Sequence, residues 1–220
     1  MLNFGLTTAA PCDESKLVKL RYLCGFGLLL VSLALAQDKA KPEATYKALV
    51  EKVKAGDATV DFKQLRLAYS DIPHEKDPEP EKKAMFAALR SGNYEEAAKN
   101  AELVLASDYV DMDAHVAAAI ANEALKNADK AAFHKNVYQQ LMMSILDFGD
   151  GKSPKTAWMV IEVHEEYVAL KALGINSLPT SQSLMQADGH SYDLLVVEDP
   201  DSKEERKLYF NVDIPIKHGE

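Results

Sequence analysis

Apolar residues recur at steps of three and four along the first half of the chain, the spacing that places them on one side of a helix. The first such run extends from Tyr46 to Val53 and stops at Gly56, a residue type that commonly ends helices. A second helix is predicted to begin near Asp61, whose side chain can cap free backbone N–H groups. Its buried side is expected to consist of Phe62, Leu65 and Tyr69.

The same periodicity then predicts two helical hairpins. Their helices are Glu81–Ser91 with Tyr94–Ala106, and Asp113–Lys126 with Asp129–Leu146. Ala97 and Ala131 lie 34 residues apart at equivalent positions, and a helical hairpin of that length is the tetratricopeptide period. The fit is partial, because Lys126 stands where the first hairpin has Gly92, so a generic helical bundle remains the alternative. His115 and His134 are expected to face each other across the second hairpin.

After Leu146 the pattern changes to short apolar or alternating runs, which are typical of strands. The predicted strands are Thr156–Val163, Gln182–Ala187, Ser191–Glu198 and Lys207–Ile214, with a helix at His164–Gly174. Asp188-Gly189 predicts a hairpin turn. The fold class is therefore α+β: mostly α-helical hairpins of tetratricopeptide-like type, followed by a small four-stranded, mainly antiparallel sheet with one helix.

The N-terminal region has the pattern of a secretory signal peptide. A basic segment, Lys16–Arg21, precedes an apolar run of 13 residues, Leu23–Leu35, and small residues flank the expected cleavage site near Ala36. The run is shorter than the roughly 20 residues that span a bilayer, although an uncleaved anchor remains the alternative. Asp13 and Glu14 precede the basic segment, which suggests a start codon assigned too far upstream.

These patterns divide the chain into four parts. Residues 1–36 are predicted to be the signal peptide with its upstream extension, and residues 37–42 a disordered lead. Residues 43–147 are the helical-repeat region, and residues 148–220 form a β-rich region packed on the helices. The predicted location is the bacterial periplasm or the exterior of the cell, with no stable membrane span after processing.

Charge and cysteine content narrow the classes of partner. Both cysteines, Cys12 and Cys24, lie in the predicted leader, so the mature chain is expected to fold without disulfides. Removing residues 1–36 takes away three basic and two acidic residues, which leaves 22 basic against 32 acidic residues. Nucleic acid and anionic lipid surfaces both require a basic footprint, so neither is an expected partner.

No cofactor or metal motif stands out. The six histidines lack metal-ligand spacing, and Gly151-Lys152-Ser153 lacks the glycine that a phosphate-binding loop needs five residues earlier. Tyrosines on a repeat scaffold can form a peptide-binding groove, although they more often pack between helices. Glu165 and Glu166 fall in the first turn of the predicted helix His164–Gly174, where acidic residues commonly interact with the positive end of the helix. The candidate functional surface is Tyr69, Tyr94, Tyr138, Glu165, Glu166 and Tyr167.

Several stretches together resemble a family of exported bacterial proteins catalogued as a domain of unknown function. They are Val60–Tyr69, the tetratricopeptide-like middle, Gly149–Leu173 with Glu165-Glu166-Tyr167, Tyr192-Asp193 and Tyr209-Phe210-Asn211. The resemblance implies an architecture and an exported location. It implies no catalytic role for Asp61, Arg66 or Glu165–Tyr167, because the family brings no activity to transfer.

Two functional hypotheses follow. The first is a non-enzymatic, exported module that binds another envelope protein, a peptide or another ligand through its helical repeats. The second is a cell-envelope hydrolase that uses paired carboxylates near Asp147–Asp150 and Glu165–Glu166, since two carboxylates at about 5–10 Å can cleave glycosides. The sequence favours the first, because it contains no nucleophile or metal signature.

Overall fold

Six consecutive α-helices form the first half of the molecule in the computed structural model, which describes residues 41–73, 78–199 and 202–219. They are α1 (41–54), α2 (Phe62–Ser70), α3 (Glu79–Ser91), α4 (Tyr94–Ser107), α5 (Met112–Ala124) and α6 (Ala128–Leu146). Residues 41 and 42, assigned from sequence to a disordered lead, are already helical. The rest of that lead and the predicted signal peptide lie outside the described residues.

Side-chain caps explain where several of these helices begin. As predicted, Asp61 caps α2, accepting hydrogen bonds from the backbone N–H groups of Lys63 at 2.9 Å and Gln64 at 3.1 Å. Asp111 caps α5 in the same way, accepting from the N–H of Ala114 at 2.7 Å. Each cap satisfies backbone donors that the first turn of a helix leaves unpaired.

The two helical hairpins, α3–α4 and α5–α6, turn through the same backbone geometry. Gly92 has φ 72° and Lys126, 34 residues later, has φ 62°. Asn93 N–H donates to Ala88 O at 2.9 Å, and Asn127 N–H donates to the equivalent Asn122 O at 2.8 Å. Each of the four helices packs against the next. The hairpin boundaries predicted from sequence agree with the structure to within two residues.

The second half contains a four-stranded sheet. Its elements are β1 (Trp158–Met159), α7 (His164–Ala172), β2 (Ser181–Ala187), β3 (His190–Glu198), β4 (Glu205–Asn211) and α8 (Asp213–His218). The strand order is β1-β4-β3-β2. Among the described strands, the β1–β4 pair is parallel and the other pairs are antiparallel. The α+β class and the mainly antiparallel sheet are therefore confirmed.

Two predicted strands are longer than the structure allows. The first, predicted at Thr156–Val163, is reduced to Trp158–Met159, because a 3₁₀ turn at Pro154–Thr156 precedes it and Ile161 N–H donates to a carboxylate. The last, predicted to reach Ile214, ends at Asn211. Helix α8 follows, with Pro215 in its first turn, where a missing N–H costs nothing.

One apolar core joins the helices to the sheet. Its buried side chains include Leu65, Leu141 and Ile145 from the helices and Trp158, Leu195 and Phe210 from the sheet. The described residues from Pro42 onward belong to one compact unit. None of the helices in the described ranges is both long enough and apolar enough to cross a membrane.

Candidate functional site

A buried ion pair connects the helical half to the sheet half. Arg66 from α2 is 1% exposed and pairs with Glu165 from α7, 99 residues further along the chain. Arg66 Nε donates to Glu165 Oε1 at 2.9 Å, and Arg66 Nη2 forms a short bond to Glu165 Oε2. Two parallel N–H donors facing one carboxylate are the strongest arrangement of such a pair.

Both Arg66 and Glu165 form further hydrogen bonds. Arg66 Nη2 also donates to the Met159 carbonyl at 3.2 Å, and Nη1 donates to Ser144 Oγ at 3.4 Å. Glu165 Oε2 additionally accepts from Ile161 N–H at 2.8 Å. With three N–H donors already on its carboxylate, Glu165 is a structural anchor rather than an available base or nucleophile. Arg66 thus contacts α6, β1 and α7 at once.

Acidic side chains lie beside this ion pair. Asp108 is buried, and burial, together with the charges of Glu162 and Asp111, raises its pKa well above the ordinary range. Lys82 opposes the rise and binds Asp111 Oδ2 at 2.9 Å. A cavity of about 10 Å³, which holds about one water molecule, lies between these carboxyl groups and Glu165. It is lined by Asp108, Val110, Asp111, Met112, Ile161, Glu162, His164 and Glu165.

Glu166 points to a different neighbour from Glu165. Its side chain is fully buried and lies beside the Asp193 carboxyl. Burial and the nearby Asp193 carboxyl raise the pKa of Glu166 to about 8, so it carries a proton at neutral pH. Asp193 Oδ2 accepts from Gln182 Nε2 at 2.6 Å, and the Tyr167 hydroxyl donates to Gln182 Oε1 at 2.9 Å.

The helical half contains a larger concavity, which we call the tyrosine cleft. Its volume is about 640 Å³, within the range that small ligands and short peptides occupy. Its lining comprises Glu43, Tyr46, Lys47, Val50, Glu51 and Lys54 of α1, Tyr69, Ile72 and Pro73 at the end of α2, and Leu105, Ala106, Ser107 and Tyr109 at the end of α4. The charged residues of α1 alternate in sign and pair along the helix, Lys47 with Glu43 at 2.7 Å and Lys54 with Glu51 at 3.2 Å.

Three buried tyrosines form part of the cleft. The ring centroids of Tyr46 and Tyr69 lie 5.3 Å apart, and the Tyr46 hydroxyl accepts a hydrogen bond from Tyr109 N–H at 2.9 Å. Burial raises the pKa of all three phenols, that of Tyr109 to about 12, so they stay neutral. The Tyr109 hydroxyl is buried and has no hydrogen-bonding partner in the described part of the chain. Lys54 Nζ lies 5.4 Å from the centroid of the Tyr109 ring.

A pair of buried histidines lies next to Tyr109. His115 Nε2 lies 3.0 Å from Tyr109 O, and His115 Nδ1 lies 3.1 Å from His134 Nδ1, which confirms that the two rings face each other. His134 Nε2 is 3.4 Å from Glu102 Oε1. Burial lowers the pKa of His115 to about 4, so this ring is neutral and donates its single proton to the Tyr109 carbonyl.

The structure distributes the sequence-predicted site residues over several places. Tyr69 lines the tyrosine cleft, whereas Glu165 belongs to the ion pair, and Glu166 and Tyr167 face the corner with Asp193. Tyr94 packs on a separate cluster of small residues, and Tyr138 packs on the main core. They do not form one continuous surface. Among the described residues, no three His, Cys, Asp or Glu side chains converge as metal ligands.

The sequence indicated Tyr109, like Tyr69, as a tyrosine that could line a groove, but it did not identify Tyr46, Asp108 or Arg66 as members of these sites. Arg66 gave a signal, because it lies beside Leu65 on the predicted buried side of α2, where an arginine needs a partner. Tyr109 and Asp108 follow the end of α4, and nothing in a linear pattern places them against α1.

Fold and sites together define an α+β protein in which the helical half carries an aromatic cleft and is joined to a mixed sheet through a buried arginine–glutamate pair. The chain belongs to the family described as a domain of unknown function, DUF4919, whose model matches residues 36–219. No curated protein matches the chain. No solved structure matches it either.

Proposed function

We propose that this protein is an exported, non-enzymatic binding module that holds a short peptide segment of a partner in the tyrosine cleft. The observation that carries the proposal is a cleft of about 640 Å³ that is lined by Tyr46, Tyr69 and Tyr109 together with charged residues of α1. The polar and charged side chains around these tyrosines can form hydrogen bonds to a bound ligand. Peptide backbones offer both donors and acceptors.

The charges of the cleft favour a peptide over a strongly charged ligand. Glu43, Lys47, Glu51 and Lys54 are exposed along one side of α1 and alternate in sign, so the rim has no net charge. The buried tyrosines beneath this rim give the cleft a rigid aromatic wall, which loses little side-chain entropy on binding. A segment with apolar side chains and a polar backbone matches both features.

The hairpin turns support a repeat scaffold of the tetratricopeptide type. Left-handed residues recur at Gly92 and Lys126, and the hydrogen bonds that close the two turns recur at the same interval of 34 residues. Repeats of this kind commonly bind peptides on a concave side. Export rests on the basic segment, the short apolar run and the small residues before Gln37.

The alternative, a hydrolase with paired carboxylates, has weaker support. The Asp150 carboxylate is exposed and accepts from Lys152 N–H at 3.1 Å, while Glu165 is buried against Arg66. The cavity beside Glu165 has a volume of about 10 Å³, too small for a sugar or an ester. We therefore base the proposal on the cleft.

The test is peptide selection followed by a block of the cleft. Protein expressed from the full reading frame is used to select binders from a random peptide library, and their affinities are measured by fluorescence anisotropy. Ala106→Trp places a large side chain into the cleft from an exposed position on α4 and should abolish binding.

Ala124→Trp is the matched control, because Ala124 is also exposed in the last turn of a helix but lines none of the described cavities. This variant should bind like the parent protein. If the selected peptides bind the Ala106→Trp variant as tightly as they bind the parent protein, the tyrosine cleft is not the binding site. Export is checked separately by N-terminal sequencing of envelope or secreted material, which should begin at Gln37.

A further inference from the structure

Strand β2 forms one outer edge of the sheet in the described part of the chain, and its sequence lacks the residues that usually protect such an edge. Its sequence, Ser-Gln-Ser-Leu-Met-Gln-Ala, contains no charged residue and no proline. Natural edge strands are commonly protected by lysine, proline, a bulge or a covering segment. Leu184, at the centre of β2, is nonetheless 61% exposed.

Hydrogen bonding within the sheet shows which residues of β2 face outward. Val212 N–H donates to Ser191 O at 3.0 Å, so Ser191 faces β4. Because antiparallel residues alternate between neighbours, Tyr192, Leu194 and Val196 face β2. Their partners in β2 are Met185, Ser183 and Ser181. The backbone N–H and C=O groups of the alternate residues, Gln182, Leu184 and Gln186, therefore point away from the sheet.

We propose that β2 pairs in antiparallel orientation with β2 of a second copy of this chain, around a two-fold axis at Leu184. In this register Leu184 lies opposite its own copy, and Gln182 lies opposite Gln186 of the second copy. The outward backbone groups of all three residues then form ladder hydrogen bonds, two in each residue pair. The two four-stranded sheets become one continuous sheet.

The chemistry of β2 selects a second copy over an unrelated strand. The strand reads symmetrically about Leu184: glutamine lies two residues away on each side, and small or polar residues occupy both ends. A symmetric pairing therefore matches leucine with leucine and glutamine with glutamine, and it places no like charges opposite each other. All three pairs lie on the same face of the sheet, because their side chains alternate with period two.

The mass of the protein in solution tests the dimer. Protein from the full reading frame should approach twice the protomer mass by light scattering as its concentration is raised. Leu184→Lys places two ammonium groups opposite each other at the axis and should weaken the dimer at least tenfold. Leu103→Lys makes the same change at a leucine on α4 that is 49% exposed and should leave the mass unchanged.

A cross-link tests the register itself. In a background with Cys12→Ser and Cys24→Ser, Leu184→Cys brings two Cα atoms to about 5.5 Å across the axis, a separation that a disulfide can span. Mild oxidation should give a covalent dimer with Leu184→Cys and none with Leu103→Cys. A protomer mass at every concentration overturns the proposal, and so does a dimer that Leu184→Lys leaves intact.

Discussion

At the scale of single residues, Arg66 has the largest predicted effect on stability. Its guanidinium is buried between α2, α6, β1 and α7 with Glu165 as its charge partner. Arg66→Met would leave the Glu165 carboxylate buried without a cation. Breaking a buried pair in this way costs about 3–5 kcal/mol, which urea unfolding should show as a lower free energy of unfolding.

Two further variants make this prediction specific. Arg90→Met changes an exposed arginine on α3 and should alter the free energy of unfolding by less than about 0.5 kcal/mol. Arg66→Met combined with Glu165→Gln leaves no unpaired charge and should recover part of the loss. A cost for Arg66→Met similar to that for Arg90→Met contradicts the structural role of the pair.

Glu166 predicts a dependence of stability on pH. Burial raises its pKa in the folded protein to about 8, whereas an unfolded glutamate titrates near about 4.3. Below the unfolded pKa both states are protonated, so Glu166 has no effect on stability there. Between the two values only the unfolded state has lost the proton, so the protein loses up to about 1.4 kcal/mol per pH unit as the pH rises.

Glu166→Gln removes this titration while keeping the shape of the side chain. The stability of the variant relative to the parent should rise from pH 5 to pH 8, as measured by urea unfolding at each pH. Glu204→Gln, at an exposed position before β4, should show no such trend. A constant difference between Glu166→Gln and the parent across this range would mean that Glu166 ionises normally.

At the scale of elements, the helices were easier to predict than the strands, for a physical reason. Each helix has its own periodicity, and several have local signals at their ends, such as Asp61 before α2 and Gly92 after α3. The alternation of Leu208, Phe210, Val212 and Ile214 continues past the true end of β4 at Asn211. The signal that ends the strand is Asp213 two residues before Pro215, which is typical of the first turn of a helix.

The turn between α5 and α6 carries a measurable strain. Lys126 has φ 62°, a conformation that Gly92 adopts without cost at the equivalent position of the first hairpin. Lys126→Gly should therefore raise the free energy of unfolding by about 0.5–1 kcal/mol. Lys135→Gly, inside α6, should lower it by about 1 kcal/mol. If Lys126→Gly destabilises the protein as much as Lys135→Gly, the turn geometry is wrong.

The loop between α6 and β1 depends on a close contact between Gly151 and Trp158. A Cβ atom on Gly151 would lie 2.5 Å from the Trp158 ring, whereas one on Gly174 would have no neighbour within 4 Å. Both glycines have positive φ, so alanine costs about 1–2 kcal/mol at either position. Gly151→Ala should cost about 1–3 kcal/mol more than Gly174→Ala in urea unfolding. Equal costs would show that the loop adapts freely.

At the scale of the whole molecule, the sequence could not show how distant elements meet. The α+β class follows from local patterns, but the partner of Arg66 lies 99 residues away, and the tyrosine cleft combines α1 with the ends of α2 and α4. Tyr69 lies on a periodic apolar side, whereas Tyr109 follows a helix end, so the sequence could not show that the two tyrosines line the same cleft. Contacts of this kind depend on tertiary packing, which no single pattern encodes.

The joint core predicts that the two halves unfold together. Trp158 is the single tryptophan of the chain and is buried in the sheet half, so its fluorescence reports on the sheet. Far-UV circular dichroism at the helical band reports mainly on α1–α6. Because Arg66 and the apolar core connect the halves, both signals should give the same urea midpoint. Two separated midpoints would mean that the sheet is an independent domain and that the buried ion pair only docks it against the helices.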